Sequence, residues 1–112
     1  MSKRSKAPAR LFAALGDETR LRLVARLSAG GPLSITALTA GSQVTRQAIT
    51  KHLRVMEGSG LVRHARHGRE SVWQLEPRSL REARRYLQII SRQWDQALVG
   101  LRTFVEKDAP RS

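Results

Sequence analysis

The stretch VTRQAITKHLRVMEGSGLV, residues 44–62, decides how this chain folds. Ile49, Leu53 and Met56 recur at i, i+4 and i+7, the spacing that lines one face of a helix with apolar side chains and pins it to a core. Arg46, Gln47, Thr50, Lys51 and Arg54 gather on the opposite face, and no carboxylate follows until Glu57. Solvated helix faces usually mix both signs of charge. This one offers cations, a hydroxyl and an amide, a set suited to meeting an anion.

The flanking residues give that helix a context. Thr45 is a good N-cap and Gly60 a stop. Upstream, Ser34 is placed to cap a short helix through Ile35 and Leu38, and AGSQV (40–44) breaks the pattern at Gly41. Residues 34–59 therefore read as short helix, turn and longer helix, the helix-turn-helix arrangement. In that arrangement the second helix enters the major groove. There an arginine can pair with guanine, a glutamine with adenine, and a threonine can meet the thymine methyl. Downstream, LVRHA (61–65) and SVWQL (71–75) are β-prone stretches joined by RHGRE (66–70), with Gly68 at the tip. A hairpin in this place is a wing. Arg66, His67 and Arg69 surround its tip, and Trp73, sharing a strand face with Leu75, is expected to pack the hairpin onto the core. Thr45, His52 and the wing-tip residues join the donor face as expected DNA contacts.

Toward the N-terminus, Pro8 suits the first turn of a helix through Leu11, Phe12 and Leu15. Asp17 is placed to cap a second helix with Leu21, Val24 and Leu27 on its inner side. Toward the C-terminus, Pro77 closes the hairpin, and Ser79 with Glu82 resembles a capping box. In the helix that follows, Leu80, Leu87, Trp94 and Leu101 recur every seven residues, with Ala83, Ile90, Ala97 and Phe104 three positions later and Leu98 and Val105 widening the stripe. A helix of about 28 residues is roughly 40 Å long, more than the rest of so small a chain can cover. A second copy is expected to cover it, through Leu80, Leu87, Ile90, Trp94, Leu98, Leu101 and Val105 together with Leu11 and Phe12.

Composition agrees with these motifs. At 112 residues the chain is long enough for one domain. Its net charge is +12, and 17 of the 21 cations are arginine, whose planar fork matches phosphate and guanine edges. Residues 1–70 hold 13 basic and 4 acidic groups, +9, against 8 and 5, +3, in residues 71–112. Such a surface attracts polyanions, nucleic acid before membrane. There is no cysteine, hence no disulfide or thiolate metal site. No apolar run approaches the roughly 18–20 residues that span a bilayer, so the chain is expected to be soluble and cytoplasmic, without a membrane partner. His52, His64 and His67 lack clustered acids, so neither a metal nor a cofactor is expected. Nor is there a nucleophile elbow, a Gly-rich phosphate loop or a separated carboxylate pair, so catalysis is not expected either.

The expected fold is mainly α with a small β-hairpin: a winged helix-turn-helix of five helices and a two-stranded wing, dimerising through the long C-terminal helix. Its divisions are a basic arm (1–7), the DNA-binding domain (8–78), the dimerisation helix (79–107) and a tail (108–112).

Over roughly residues 9–107 the chain resembles the ArsR/SmtB family of small winged-helix repressors. LFAALGDETRLRLVARLS (11–28) is similar to the family's opening pattern, residues 44–62 to its recognition helix, including the pair His52–Leu53, and RHGRESVWQLEP (66–77) to its wing. Metal-sensing members carry Cys-x-Cys-Asp-Leu on the third helix, where Ser34, Ile35, Thr36, Ala37 and Leu38 stand here. The Asp-x-His pattern of other members also fails, because Ala97 follows Asp95 by two residues. The resemblance thus implies the fold, a homodimer and binding to a pseudo-palindromic operator in double-stranded DNA as a transcriptional repressor of a metal-free branch. The alternatives are a non-specific architectural DNA binder, a ligand- or metal-responsive sensor, and a protein–protein adaptor that the acid-free face disfavours.

Overall fold

The computed structural model describes residues 7–108. Its elements, in order, are α1 (Ala7–Leu15), α2 (Glu18–Gly30), β1 (Leu33–Ser34), α3 (Ile35–Thr39), α4 (Arg46–Gly58), β2 (Val62–His67), β3 (Glu70–Leu75) and α5 (Pro77–Asp108). Of the expected arm and tail only Ala7 and Asp108 fall among the described residues, as the ends of α1 and α5; the remainder lies outside them.

Short polar side chains start the helices. The Asp17 carboxylate accepts the Arg20 N–H at 3.0 Å, Ser34 Oγ accepts that of Ala37 at 3.1 Å, and Thr45 Oγ accepts that of Ala48 at 3.2 Å. Each satisfies one of the donors a helix leaves open at its N-terminus. The end of α4 is as well defined. Gly60, at φ 82°, lets its own N–H reach the Glu57 carbonyl and the Leu61 N–H reach that of Met56, the paired bonds of a Schellman cap. That cap delivers Leu61 and Val62 straight into the core.

The strands run longer than the two five-residue stretches, and the hairpin closes on Gly68 and Arg69 between the paired His67 and Glu70. Gly68 is at φ 63° while Arg69 keeps a negative φ, the pattern of a type II′ turn, whose twist matches the strands it joins. The sheet has three strands in the order β1-β3-β2, because Leu33 and Ser34 pair with Trp73 and Val72. Two residues carry no period-2 signal, so β1 is invisible in the sequence.

One core joins every helix. Leu11 and Ala14 of α1, Leu23 and Leu27 of α2, and Leu38 of α3 close around Ile49, Leu53 and Met56 of α4, with Trp73 from β3 and Ala83 from α5. Two expectations need correction here. Leu21 is exposed and Leu23 buried: the inner side of α2 is set by Leu23 and Leu27, and Leu21 lies about 200° round the helix from Leu23. Ser79 does not cap α5. Pro77 occupies the first turn, the Glu76 carbonyl accepts the Leu80 N–H, and Ser79 Oγ donates to the Gly60 carbonyl instead.

After its first turns, α5 leaves the body of the protein. Its 32 residues extend about 48 Å, and positions 91–107 are all exposed. The radius of gyration is 19.7 Å, against about 13 Å for a compact chain of this length. The excess is the rod.

Leu53 is fully buried where all the helices meet. Leu53→Ala should lower unfolding stability by about 2–5 kcal/mol in urea titration.

Candidate nucleic-acid interface

The burial of Ile49, Leu53 and Met56 fixes which side of α4 meets solvent. Arg46, Gln47, Lys51 and Arg54 are exposed, and among the described residues none of the three cations is within ion-pair distance of a carboxylate. Thr45 is exposed with its hydroxyl spent on the cap. Thr50 is half-buried and its hydroxyl donates to the Arg46 carbonyl at 2.9 Å. Both threonines therefore present mainly their methyl groups. The one carboxylate of α4, Glu57, is engaged by the His64 ring.

The wing is divided. Arg69 comes to the recognition helix: it lines one cleft of about 220 Å³ with Arg46, Thr50, Thr36, Glu70 and Ser71. Arg66 and His67 are exposed neighbours on β2, so alternation sends them to opposite faces of the ribbon. The tip is not a single three-donor claw. His64 lies against Trp73, ring centroids 4.6 Å apart, and this cross-strand pair fixes the base of the wing. Trp73 is buried, as its strand pattern predicts.

His52, among the expected DNA contacts, lies on the flank of α4 away from the other donors. At 100° per residue the centre of the donor face and His52 are about 170° apart. Its Nδ1 lies 3.2 Å from the Arg20 guanidinium and 3.8 Å from the Asp17 carboxylate. Arg20 also donates through Nε to the Ala14 carbonyl at 2.5 Å. These contacts tie the end of α1, the start of α2 and the middle of α4 together, and sequence reading missed Arg20 because its partner lies 32 positions away. Arg26 was likewise missed; it donates to the Ala37 and Leu38 carbonyls at 2.8 Å, closing the C-terminal end of α3. Among the described residues no three His, Asp or Glu side chains converge as metal ligands would.

The apolar stripe divides as sharply. Leu87, Trp94, Leu98, Leu101 and Val105 are all more than half exposed, joined by Phe104 and Val99. Of the other expected interface residues, Phe12, Leu80 and Ile90 are half-buried within the single chain and Leu11 is buried. Leu11 is 2% exposed in the core, Leu80 packs against that core, and Phe12 lies against Tyr86 of the same chain at 5.6 Å. A heptad repeat marks positions that need cover without saying which chain supplies it.

Comparison with known proteins agrees with this geometry. A family model described as a helix-turn-helix domain matches residues 15–65. The HTH-type transcriptional regulator Rv2034 of Mycobacterium tuberculosis is 35% identical over 103 residues, covering 92% of each chain. The arsenical resistance operon repressor of Escherichia coli is 34% identical over 70 residues, 62% of this chain and 60% of that one. Among solved structures, an ArsR-like transcriptional regulator from Rhodococcus sp. RHA1 superposes with a TM-score of 0.75 at 32% identity, over 92% of this chain and 96% of that one.

The Asp17 carboxyl sits below its ordinary value of 3.8, chiefly because it accepts the Arg20 backbone N–H; the Arg20 charge adds to this and desolvation opposes it. A depressed folded value makes this contribution to stability fully present above the unfolded value and lost as pH falls through the folded one. Acid unfolding of Asp17→Asn, which keeps a capping oxygen but does not titrate, should therefore be less steep than wild type below about pH 3.8.

Proposed function

This chain belongs to the ArsR family of winged helix-turn-helix transcriptional regulators, and we propose that it acts in the cytoplasm as a homodimeric repressor of a pseudo-palindromic operator. The observation that carries the reading is the exposed N-terminal side of α4, where Arg46, Gln47, Lys51 and Arg54 make no ion pair among the described residues, beside Arg69 of the wing in a cleft that Glu70 also lines. Cations left unpaired on a +12 chain suit phosphates and base edges. Arg46 and Gln47, in the first turn of α4, read bases; Lys51, Arg54, Arg66 and Arg69 hold phosphates; the Thr45 and Thr50 methyls meet thymine; His67 contributes to backbone contact at the tip. The chain acts by binding, not catalysis, and needs no cofactor.

The exposed part of α5 is the dimer surface. Leu87, Trp94, Leu98, Leu101 and Val105, with the half-buried Ile90 beside them, form a stripe too large to leave in water, and a second copy covers it most economically because the two stripes are identical. Two copies of α4 then face successive major grooves, with half-site centres one helical turn, or a multiple of it, apart. Bound dimer represses by occluding the promoter.

Gel-shift titration on the DNA upstream of its own gene, with scrambled competitor and a salt series, tests the reading. A specific regulator should prefer its site by about 10³-fold or more, whereas an architectural binder would compete equally on both. Arg46→Ala should cost about 1–3 kcal/mol and relax discrimination at one base pair. Leu98→Glu should run as a monomer in sedimentation and lose most of its operator affinity.

A further inference from the structure

The DNA-facing side of α4 is only as well aimed as the helix's rotation about its own axis. Apolar burial is non-directional, so Ile49, Leu53 and Met56 hold α4 against the core without strongly resisting a small roll. A roll of about 15° at a radius of roughly 6 Å moves a side-chain base by about 1.5 Å. That shift exceeds the range within which a two-pronged hydrogen bond survives. Some directional contact must supply what the stripe does not. Thr45 fixes the helix start along its axis, and the Schellman cap fixes its end. Neither acts at mid-helix.

His52 does. It lies beside the buried stripe on the flank away from the donors, is mostly enclosed, and meets Arg20 at 3.2 Å. Arg20 is itself held at two points: Nε donates to the Ala14 carbonyl, and the backbone N–H donates to Asp17. The guanidinium is thus a rigid bracket on the α1–α2 corner rather than a free surface cation, and for Arg20 to donate to it, Nδ1 of His52 must be the acceptor. We propose that His52 is a positioning residue: through Arg20 it locks the roll of α4 and so aims Arg46, Gln47 and Lys51 at DNA, without touching DNA itself. This rests on the operator-binding reading above. It reaches further along the chain as well, because Phe12 of the same α1 packs on Tyr86 of α5, so the bracket stands between the long helix and the recognition helix.

Three substitutions separate this role from its neighbours. His52→Asn places an oxygen near Nδ1, His52→Gln places one near Nε2, and His52→Leu removes the acceptor while keeping bulk. His52→Leu and His52→Gln should weaken operator binding about tenfold, and His52→Asn should recover most of that loss. The slope of log affinity against log salt should stay at the wild-type value in all three. A fall of about 0.9 would instead make His52 a phosphate ligand and overturn the proposal. In a double-mutant cycle, His52→Leu with Arg20→Met should bind no more weakly than the worse single variant within about twofold; multiplied losses would overturn the shared contact. Thermal midpoints and sedimentation accompany each protein, and if His52→Leu does not fold, the Asn–Gln pair decides, since equal losses in both sink the idea.

A second readout needs no DNA. Amide hydrogen exchange across residues 46–56 in the free protein should quicken in His52→Gln and stay near wild type in His52→Asn. A wild type that prefers no duplex defeats the operator reading alone. An exchange profile that does not distinguish Asn from Gln defeats the bracket alone.

Discussion

The fold depends on one helix being held from one side only. Ile49, Leu53 and Met56 are between 0 and 2% exposed, and burying side chains of that size contributes about 1.5–3 kcal/mol each. Helices α1, α2 and α3 supply the surface they press against: Leu11 and Ala14, Leu23 and Leu27, and Leu38. Because the stripe is narrow, the remaining circumference of α4 is free to carry a surface that does nothing for stability. Unpaired arginines there gain little from folding and repel one another. The core and the two end caps bear the cost of holding them in place.

The parts of this arrangement that are local in sequence were legible in it. Asp17, Ser34 and Thr45 cap the helices they precede because a short oxygen-bearing side chain and the open N–H groups are separated by three residues. The stripe of α4, the glycine turn at residue 68 and the buried side of Trp73 follow from periods of 3.6 and 2. An error arose where a distant partner outbid a local one. Ser79 has the spacing of a cap, yet its hydroxyl goes to Gly60 while Pro77, with no N–H to leave unsatisfied, starts the helix. Leu11 is buried and Leu80 half-buried within one chain, and burial within a chain and burial between chains leave the same mark on a sequence. His52 carries a donor and falls among donors in the text of the chain. Its angular position on the helix already sets it apart; its partner, Arg20, could not be identified from spacing.

The candidate site divides along the same line. Exposure of Arg46, Gln47, Lys51 and Arg54 was legible because it is the complement of the buried stripe. The meeting of Arg69 with Arg46 in one cleft was not, since it depends on how the wing folds back across α3 and α4. Nor was the separation of Arg66 from His67, which requires knowing that both belong to a strand rather than to a loop. The turn proved to be two residues, not five, and that difference alone moves both side chains from a flexible tip onto opposite faces of a ribbon.

Charge and apolar surface then impose one requirement on the assembled molecule. The first half of α5, residues 77–92, carries Arg78, Arg81, Arg84, Arg85 and Arg92 against Glu82, while residues 93–108 carry Asp95, Glu106 and Asp108 against Arg102 and Lys107. Joining two chains of +12 is opposed by their mutual repulsion, and salt screens it only beyond about 8 Å. The uncovered stripe must outweigh that repulsion for the proposed dimer to form, and the apolar residues concentrate where α5 is least basic: Trp94, Leu98, Val99, Leu101, Phe104 and Val105 all lie in the second half. Separating the two functions along one helix keeps the strongest apolar contact away from the strongest field. A bound duplex relieves the remaining repulsion by neutralising the outward cations and releasing its own counterions. On this account DNA and dimer support each other thermodynamically: a duplex that spans both copies stabilises the pairing that brought them into register.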